Sequence, residues 1–203
     1  MKIATWNVNS IRARLDRLIP WLSSRRPDIV CLQETKVADA EFPVSELREV
    51  GYHAVIFGQR TYNGVAILTR EPAPQDPPAE VSSVPSTPRT LAPGPSDVIR
   101  GFGDGGDEAQ CRFIMGTYPT TIGPVRVASV YVPNGSEVGT AKFVYKLEWL
   151  RRWETWLQTQ VASGPPVLLC GDFNIAPEDR DVCDPVAWAG RVHCHPDERA
   201  ALA

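Results

Sequence analysis

No apolar run in this sequence approaches the roughly twenty residues needed to cross a bilayer as a helix. No signal-peptide-like apolar region precedes the first strand pattern either, because Met1-Lys2-Ile3-Ala4-Thr5-Trp6 enters it directly. Those two absences argue against membrane contact and make the cytoplasm the expected location. Excess positive charge is also missing: 21 Lys and Arg against 24 Asp and Glu leave a net charge of −3. The chain therefore lacks the global basicity of many nucleic-acid-binding domains, although a local basic face would suffice. The cysteines are five, an odd number, and Cys31 and Cys170 fall in apolar stretches. Buried reduced thiols are expected rather than a disulfide framework. Histidine is scarce, with only His53, His193 and His195. Cys183, His193, Cys194 and His195 lack a recognised zinc-ligand spacing, so the two late histidines are expected to be exposed loop residues. No internal repeat is present.

What remains is an ordinary globular composition, 43% apolar and 22% charged over 203 residues, enough to bury a core in one domain spanning 1–203. Ile3 to Val8 reads as a strand. Ser10 to Arg26 reads as an amphipathic helix capped by Ser10, with Ile11, Leu15, Leu18, Ile19 and Leu22 on one face. Ile29 to Leu32 reads as a buried strand, and a short helix around Pro43 to Val50 stops at Gly51. Paired strands follow at Tyr52–Gly58 and Gly64–Thr69, then at Arg112–Tyr118 and Val125–Tyr131. A long helix over Gly139–Val161 carries Phe143, Leu147, Leu150, Trp153 and Leu157 at core-packing spacing. The pattern predicts a mixed α/β fold. Between its halves, about 71–97 forms a flexible insert with prolines at 72, 74, 77, 78, 85, 88, 93 and 95. His195-Pro196-Asp197-Glu198-Arg199 resembles a helix start, and no Gly or Pro terminates that helix before Ala203, which suggests a longer protein.

Four short stretches carry the chemistry, and each directly follows an apolar strand: Thr5-Trp6-Asn7-Val8-Asn9, Leu32-Gln33-Glu34-Thr35-Lys36, Tyr131-Val132-Pro133-Asn134-Gly135 and Gly171-Asp172-Phe173-Asn174. The last of these follows the run Val167-Leu168-Leu169-Cys170. Its position is where open α/β sheets place ligands. Asp172 and Asn174 are two apart and point the same way in an extended segment. Together the four stretches supply two carboxylates, amides and a phenol. Such hard oxygen donors suit Mg²⁺, which keeps several waters and takes one or two carboxylates. Singly, each has an ordinary reading as a turn residue, a solvated acid, a half-buried aromatic or an Asx turn. The ordered set is the informative feature.

That set resembles the exonuclease III family of apurinic/apyrimidinic endonucleases, within the endonuclease/exonuclease/phosphatase superfamily. The resemblance runs nearly end to end, through MKIATWNVNSIRARL, PDIVCLQETK, GYHAVIFGQRTYNGVAILTR, SVYVPNG, KFVYKLEWL and VLLCGDFNIAPEDRDVCDP. It implies a four-layer α/β/β/α sandwich of the DNase I-like type. It also implies a monomeric DNA-repair nuclease that uses Mg²⁺, or Mn²⁺ in its place, to cut duplex DNA 5′ of abasic sites and to trim 3′ ends. Carried over by position, Asn7, Glu34, Asp172 and Asn174 form the metal site. Tyr131 contacts the reacting phosphate. Asp172 handles the proton of the attacking water or leaving group, and Asn174 hydrogen-bonds the phosphate. Lys142, Lys146, Arg151 and Arg152 on the long helix are expected to face solvent, where they could reach DNA phosphates.

The same resemblance implies segments beyond Ala203 that have no counterpart here: an aromatic-rich strand and loop, an Asp that orients the catalytic histidine, and a final Asp-His pair. The expectations are an incomplete second sheet with exposed edges, no catalytic histidine, and little turnover by these 203 residues. The alternative is a non-catalytic fragment that holds DNA or metal weakly.

Overall fold

The structure is a computed structural model that describes all residues except 72–93, 105, 107–109, 121, 163 and 203. Strands β1 (Ile3–Asn7), β2 (Ile29–Gln33), β3 (Tyr52–Phe57) and β4 (Val65–Arg70) form one sheet in the order β1-β2-β4-β3. Strands β5 (Ser96–Arg100), β6 (Phe113–Thr120), β7 (Gly123–Tyr131) and β8 (Val167–Asp172) form a second in the order β5-β6-β7-β8. Each sheet contains one parallel pair, β1 with β2 and β7 with β8. A parallel pair needs a crossover, and helices α1 (Ile11–Arg25) and α3 (Ala141–Ala162) supply them.

Residue alternation sets the layers. All five residues of β2 are buried. Val30 and Leu32 pack with Leu18 and Leu22 of α1 and with Leu47 of α2 (Val44–Glu49). Ile29 and Cys31 point the other way and meet Ile114, Tyr118 and Val127 of the second sheet. The outer face of that sheet carries Phe113, Met115, Ala128 and Val130 against Trp149, Leu150 and Trp153 of α3. The result is the four-layer α/β/β/α sandwich. Ser10 caps α1 by accepting the Ala13 N–H at 3.4 Å, and left-handed Arg26 returns its N–H to Leu22 O.

Two elements differ from the expectation. Most of the proline-rich 71–97 segment lies outside the described residues, but its end forms β5, which pairs with β6. A short helix α4 (Pro185–Trp188) that no expectation covered follows β8, whereas α5 (Pro196–Leu202) begins at the expected Pro196 start. The two parallel pairs end at one rim, where Asn7 pairs with Gln33 and Tyr131 pairs with Asp172. The sheets are fastened just beneath it: Gln33 Nε2 donates to Ser129 Oγ at 2.9 Å, and that hydroxyl donates to Leu32 O at 3.0 Å.

Candidate active site

Asn7 closes β1, and Glu34 follows β2 in a left-handed conformation, φ 53°. The Asn7 amide bridges the sheets. Its Nδ2 lies 2.8 Å from Glu34 Oε1 and 2.7 Å from Asp172 Oδ2. Two carboxylates fix its orientation, because only the NH₂ end can donate to both. Glu34 Oε2 faces Lys36 Nζ at 2.8 Å, and that ammonium also reaches Asn9 Oδ1 at 2.5 Å. The Tyr131 hydroxyl faces Glu34 from the second sheet, near enough for each to shift the other's pKa. Burial pushes the Glu34 carboxyl up, but Lys36, Asn7 and Tyr131 together hold it below the usual carboxylate range. Burial, helped by the Glu34 charge, pushes the Tyr131 phenol up to about 12, so it is a hydrogen-bond donor at neutral pH.

On the second sheet, Gly171 lets β8 press against β7: a Cβ there would sit 2.1 Å from Val130 O. Asp172 Oδ1 accepts the Asn174 N–H at 3.0 Å, closing the turn predicted between those residues. The Asn174 amide donates to Val132 O at 3.0 Å, and its Oδ1 accepts from Asn134 Nδ2 at 3.2 Å. The other Asn134 proton points to His193 Nε2, 3.1 Å away. His193 therefore accepts at Nε2 and carries its proton on Nδ1. Burial, and then the Lys146 charge, lowers its pKa. Ala176 N donates to His193 O at 2.8 Å, which ties this late segment to the Asn174 turn. Glu34, Lys36, Asn174 and His193 all have positive φ without being glycine, the kind of backbone strain that gathers at functional sites. A cleft of about 650 Å³ opens beside Asp172 and Asn174, walled by Cys183, Trp188 and His193.

The structure thus joins Asn7, Glu34 and Asp172 in one hydrogen-bonded set, with Asn174 attached through Asp172 and the Tyr131 phenol facing Glu34. Among the described residues no three His, Cys, Asp or Glu side chains form a cage. The carboxylates of Glu34 and Asp172 at the rim are instead hard oxygen donors of the kind a hydrated Mg²⁺ takes, and the NH₂ end of Asn7 holds them together. The Asn174 side-chain oxygen is taken by Asn134, which groups it with the amides on the second sheet.

The basic residues of α3 separate. Lys142 is exposed in the first turn of α3. Arg151 is exposed but paired with Glu148 at 2.7 Å, about 13 Å further along the helix axis. Lys146 is not on the solvent face: it is fully buried and ion-paired with Glu198, so it offers nothing to DNA. The helical period shows why, since 143, 150 and 153 define the buried stripe and 146 lies on it.

Asn134 and His193 are site residues that sequence reasoning passed over. Asn134 carried a signal, its place in a stretch that already held Tyr131. His193 carried none, and instead of lying in an exposed loop it is half-buried at the site's edge.

A profile of the endonuclease/exonuclease/phosphatase family matches residues 4–192. Exodeoxyribonuclease III of Haemophilus influenzae is 32% identical over 183 residues, 90% of this chain and 60% of that protein. The structure of an AP endonuclease from Archaeoglobus fulgidus superposes with a TM-score of 0.81 at 37% identity, covering 99% of this chain and 68% of the other. A Neisseria 3′ phosphatase bound to product DNA hairpin gives a TM-score of 0.82 at 35% identity, covering 100% and 68%. The chain spans between 57% and 69% of the length of the curated relatives it matches.

Proposed function

The chain belongs to the endonuclease/exonuclease/phosphatase family, among its exonuclease III and AP endonuclease relatives, and from that premise we propose that its site hydrolyses phosphodiester bonds in duplex DNA, 5′ of abasic sites and at 3′ ends. The observation that carries this reading is the Asn7 amide bonded at once to Glu34 and Asp172. It brings an acid from each sheet to one point on the rim, between the phenol of Tyr131 and the amides of Asn134 and Asn174.

Glu34 and Asp172, spaced by the amide of Asn7, are the residues that would hold Mg²⁺, or Mn²⁺ in its place. The cation would supply charge neutralisation at the phosphate. Tyr131, and Asn174 with the Nδ2 proton that Val132 O does not take, donate hydrogen bonds toward the phosphate oxygens, where negative charge grows in the transition state, while Asn134 orients the Asn174 amide. Asp172 takes the proton of the attacking water. Lys142 meets a neighbouring phosphate and adds salt-sensitive affinity. A monomer acting on cytoplasmic DNA goes with this reading.

A second reading has its own observation. Among the described residues no histidine hydrogen-bonds to Asp172, whose partners are Asn7 and Asn174. These 203 residues alone would then bind DNA and metal with little turnover. One experiment separates the two: incubation of the purified chain with an abasic duplex, in Mg²⁺ and in EDTA. The expected result is slow nicking that stops in EDTA, on the order of a thousandfold or more below a full-length relative. Asp172→Ala should remove it. Binding without any product supports the second reading, and neither binding nor product sinks both.

A further inference from the structure

Helix α3 buries Phe143, Trp149, Leu150 and Trp153, and in the same stripe Lys146, whose side chain is 0% exposed. Its ammonium meets three acceptors. Asn174 O lies at 2.6 Å, Asn134 O at 3.2 Å, and Glu198 Oε1 forms the ion pair. Two of its protons go to those carbonyls, and Glu198 faces it as the counter-ion. Glu198, also 0% exposed, accepts the His195 N–H through its other oxygen at 3.1 Å. The turn after β8, the loop after β7 and the start of α5 therefore converge on one buried nitrogen. Gly135 keeps its passage open: a Cβ there would sit 3.0 Å from Lys146 Cδ, and the backbone is left-handed, φ 89°.

Gluing α3 to α5 does not require a charge, because apolar residues of similar volume commonly pack at least as well as a buried ion pair. What the ammonium does, and a methyl group cannot, is hold two backbone carbonyls at a set separation. The residues bearing those carbonyls are the ones whose side-chain amides meet at 3.2 Å on the phosphate side of the rim. The geometry points to Lys146, neutralised by Glu198, as a positioning residue that fixes the spacing of the Asn134 and Asn174 amides. The meaning of that spacing rests on the DNA-hydrolysis reading; the spacing itself does not.

The test is ¹⁵N NMR of the side-chain amides of Asn134 and Asn174 in the full chain, with the Gln33 amide on the first sheet as internal control. In Lys146→Met/Glu198→Gln both charges go and the volumes stay. The Asn134 and Asn174 amide signals are expected to shift and lose their separation while Gln33 stays put, and binding of an abasic duplex in EDTA is expected to weaken at least tenfold. Unmoved Asn134 and Asn174 signals in a folded double variant overturn the proposal. Should that variant not fold, Lys146→Arg decides. It keeps the charge opposite Glu198, but its planar fork cannot set one nitrogen against both carbonyls. The same two amides are expected to move, and their staying in place overturns the proposal. Failure of the wild-type chain to bind or nick an abasic duplex sinks the functional reading alone, and the NMR result still judges Lys146.

Discussion

On the rim of the first sheet the charge facing the site belongs to Glu34 and Lys36, with side chains 19% and 27% exposed; beneath the rim of the second it belongs to Lys146 and Glu198, both 0% exposed. The open pair is exchangeable. Separating an ammonium from a carboxylate at a wet surface costs little, so an incoming cation can take the place of Lys36 on Glu34. The closed pair is fixed, because neither partner can return to water without opening the fold. The contrast assigns different duties. The first sheet offers a charge that can be traded for a metal, and the second offers donors whose geometry is set in advance.

Removing a cation from each half is the direct way to break this comparison, and the larger effect belongs to the buried one. Lys146→Met alone leaves Glu198 buried without its partner, which should lower unfolding free energy by about 3–5 kcal/mol. Urea denaturation measures it. A loss no larger than that of an exposed pair would show that the second rim is as pliable as the first.

Much of this arrangement was legible before any coordinates. Asn7, Glu34, Tyr131 and Asp172 each follow an apolar run, and strands in parallel pairs deliver such residues to one rim. The layers were legible too, since alternation along β2 and the helical stripe of α3 mark their buried faces. Lys146 was misread because a charged side chain was taken for a solvated one, although its position in the 143, 150 and 153 stripe required burial. Asn134 and His193 lie 59 residues apart in sequence and meet only through the path of the chain after β8, which no local pattern encodes. Strand β5 was hidden because the prolines before it dominate the composition of the segment, while its pairing depends on β6.

Two intermediate substitutions sharpen the comparison on the first sheet. Gln33→Leu keeps the volume and removes the bond to Ser129 between the sheets. The expected loss is about 1–3 kcal/mol, the cost of buried hydroxyls losing a partner. Lys36→Met should cost less than Lys146→Met, about 1 kcal/mol, because its half-buried pair still reaches solvent. It should also leave Glu34 with one fewer competitor for a cation. Calorimetric Mg²⁺ titration checks the second point, and weaker rather than tighter binding by Lys36→Met would contradict the exchange argument.

The smallest effect concerns a proton. The second rim should resist added positive charge, because His193 already accepts from Asn134 and stands near the Lys146 ammonium. Burial comes first and Lys146 second in lowering its pKa, with Glu198 and Asp172 opposing. The sign follows from linkage: the unfolded chain binds this proton more readily than the folded one. Stability contributed by neutral His193 is thus complete above the unfolded value near 6.5 and is lost as pH falls from there through the lowered folded value. Urea midpoints between about pH 5 and 8 should therefore drop toward acid in the wild-type chain, and drop less in His193→Gln, which cannot take the proton. The Lys146→Met/Glu198→Gln variant gives the complementary reading. Lys146 outweighs the opposing Glu198, so removing both should still raise the His193 pKa a little toward its ordinary value in an NMR titration, whereas Lys36→Met, on the other rim, should leave it unchanged. Equal shifts in the two variants would erase the distinction between an open and a closed half.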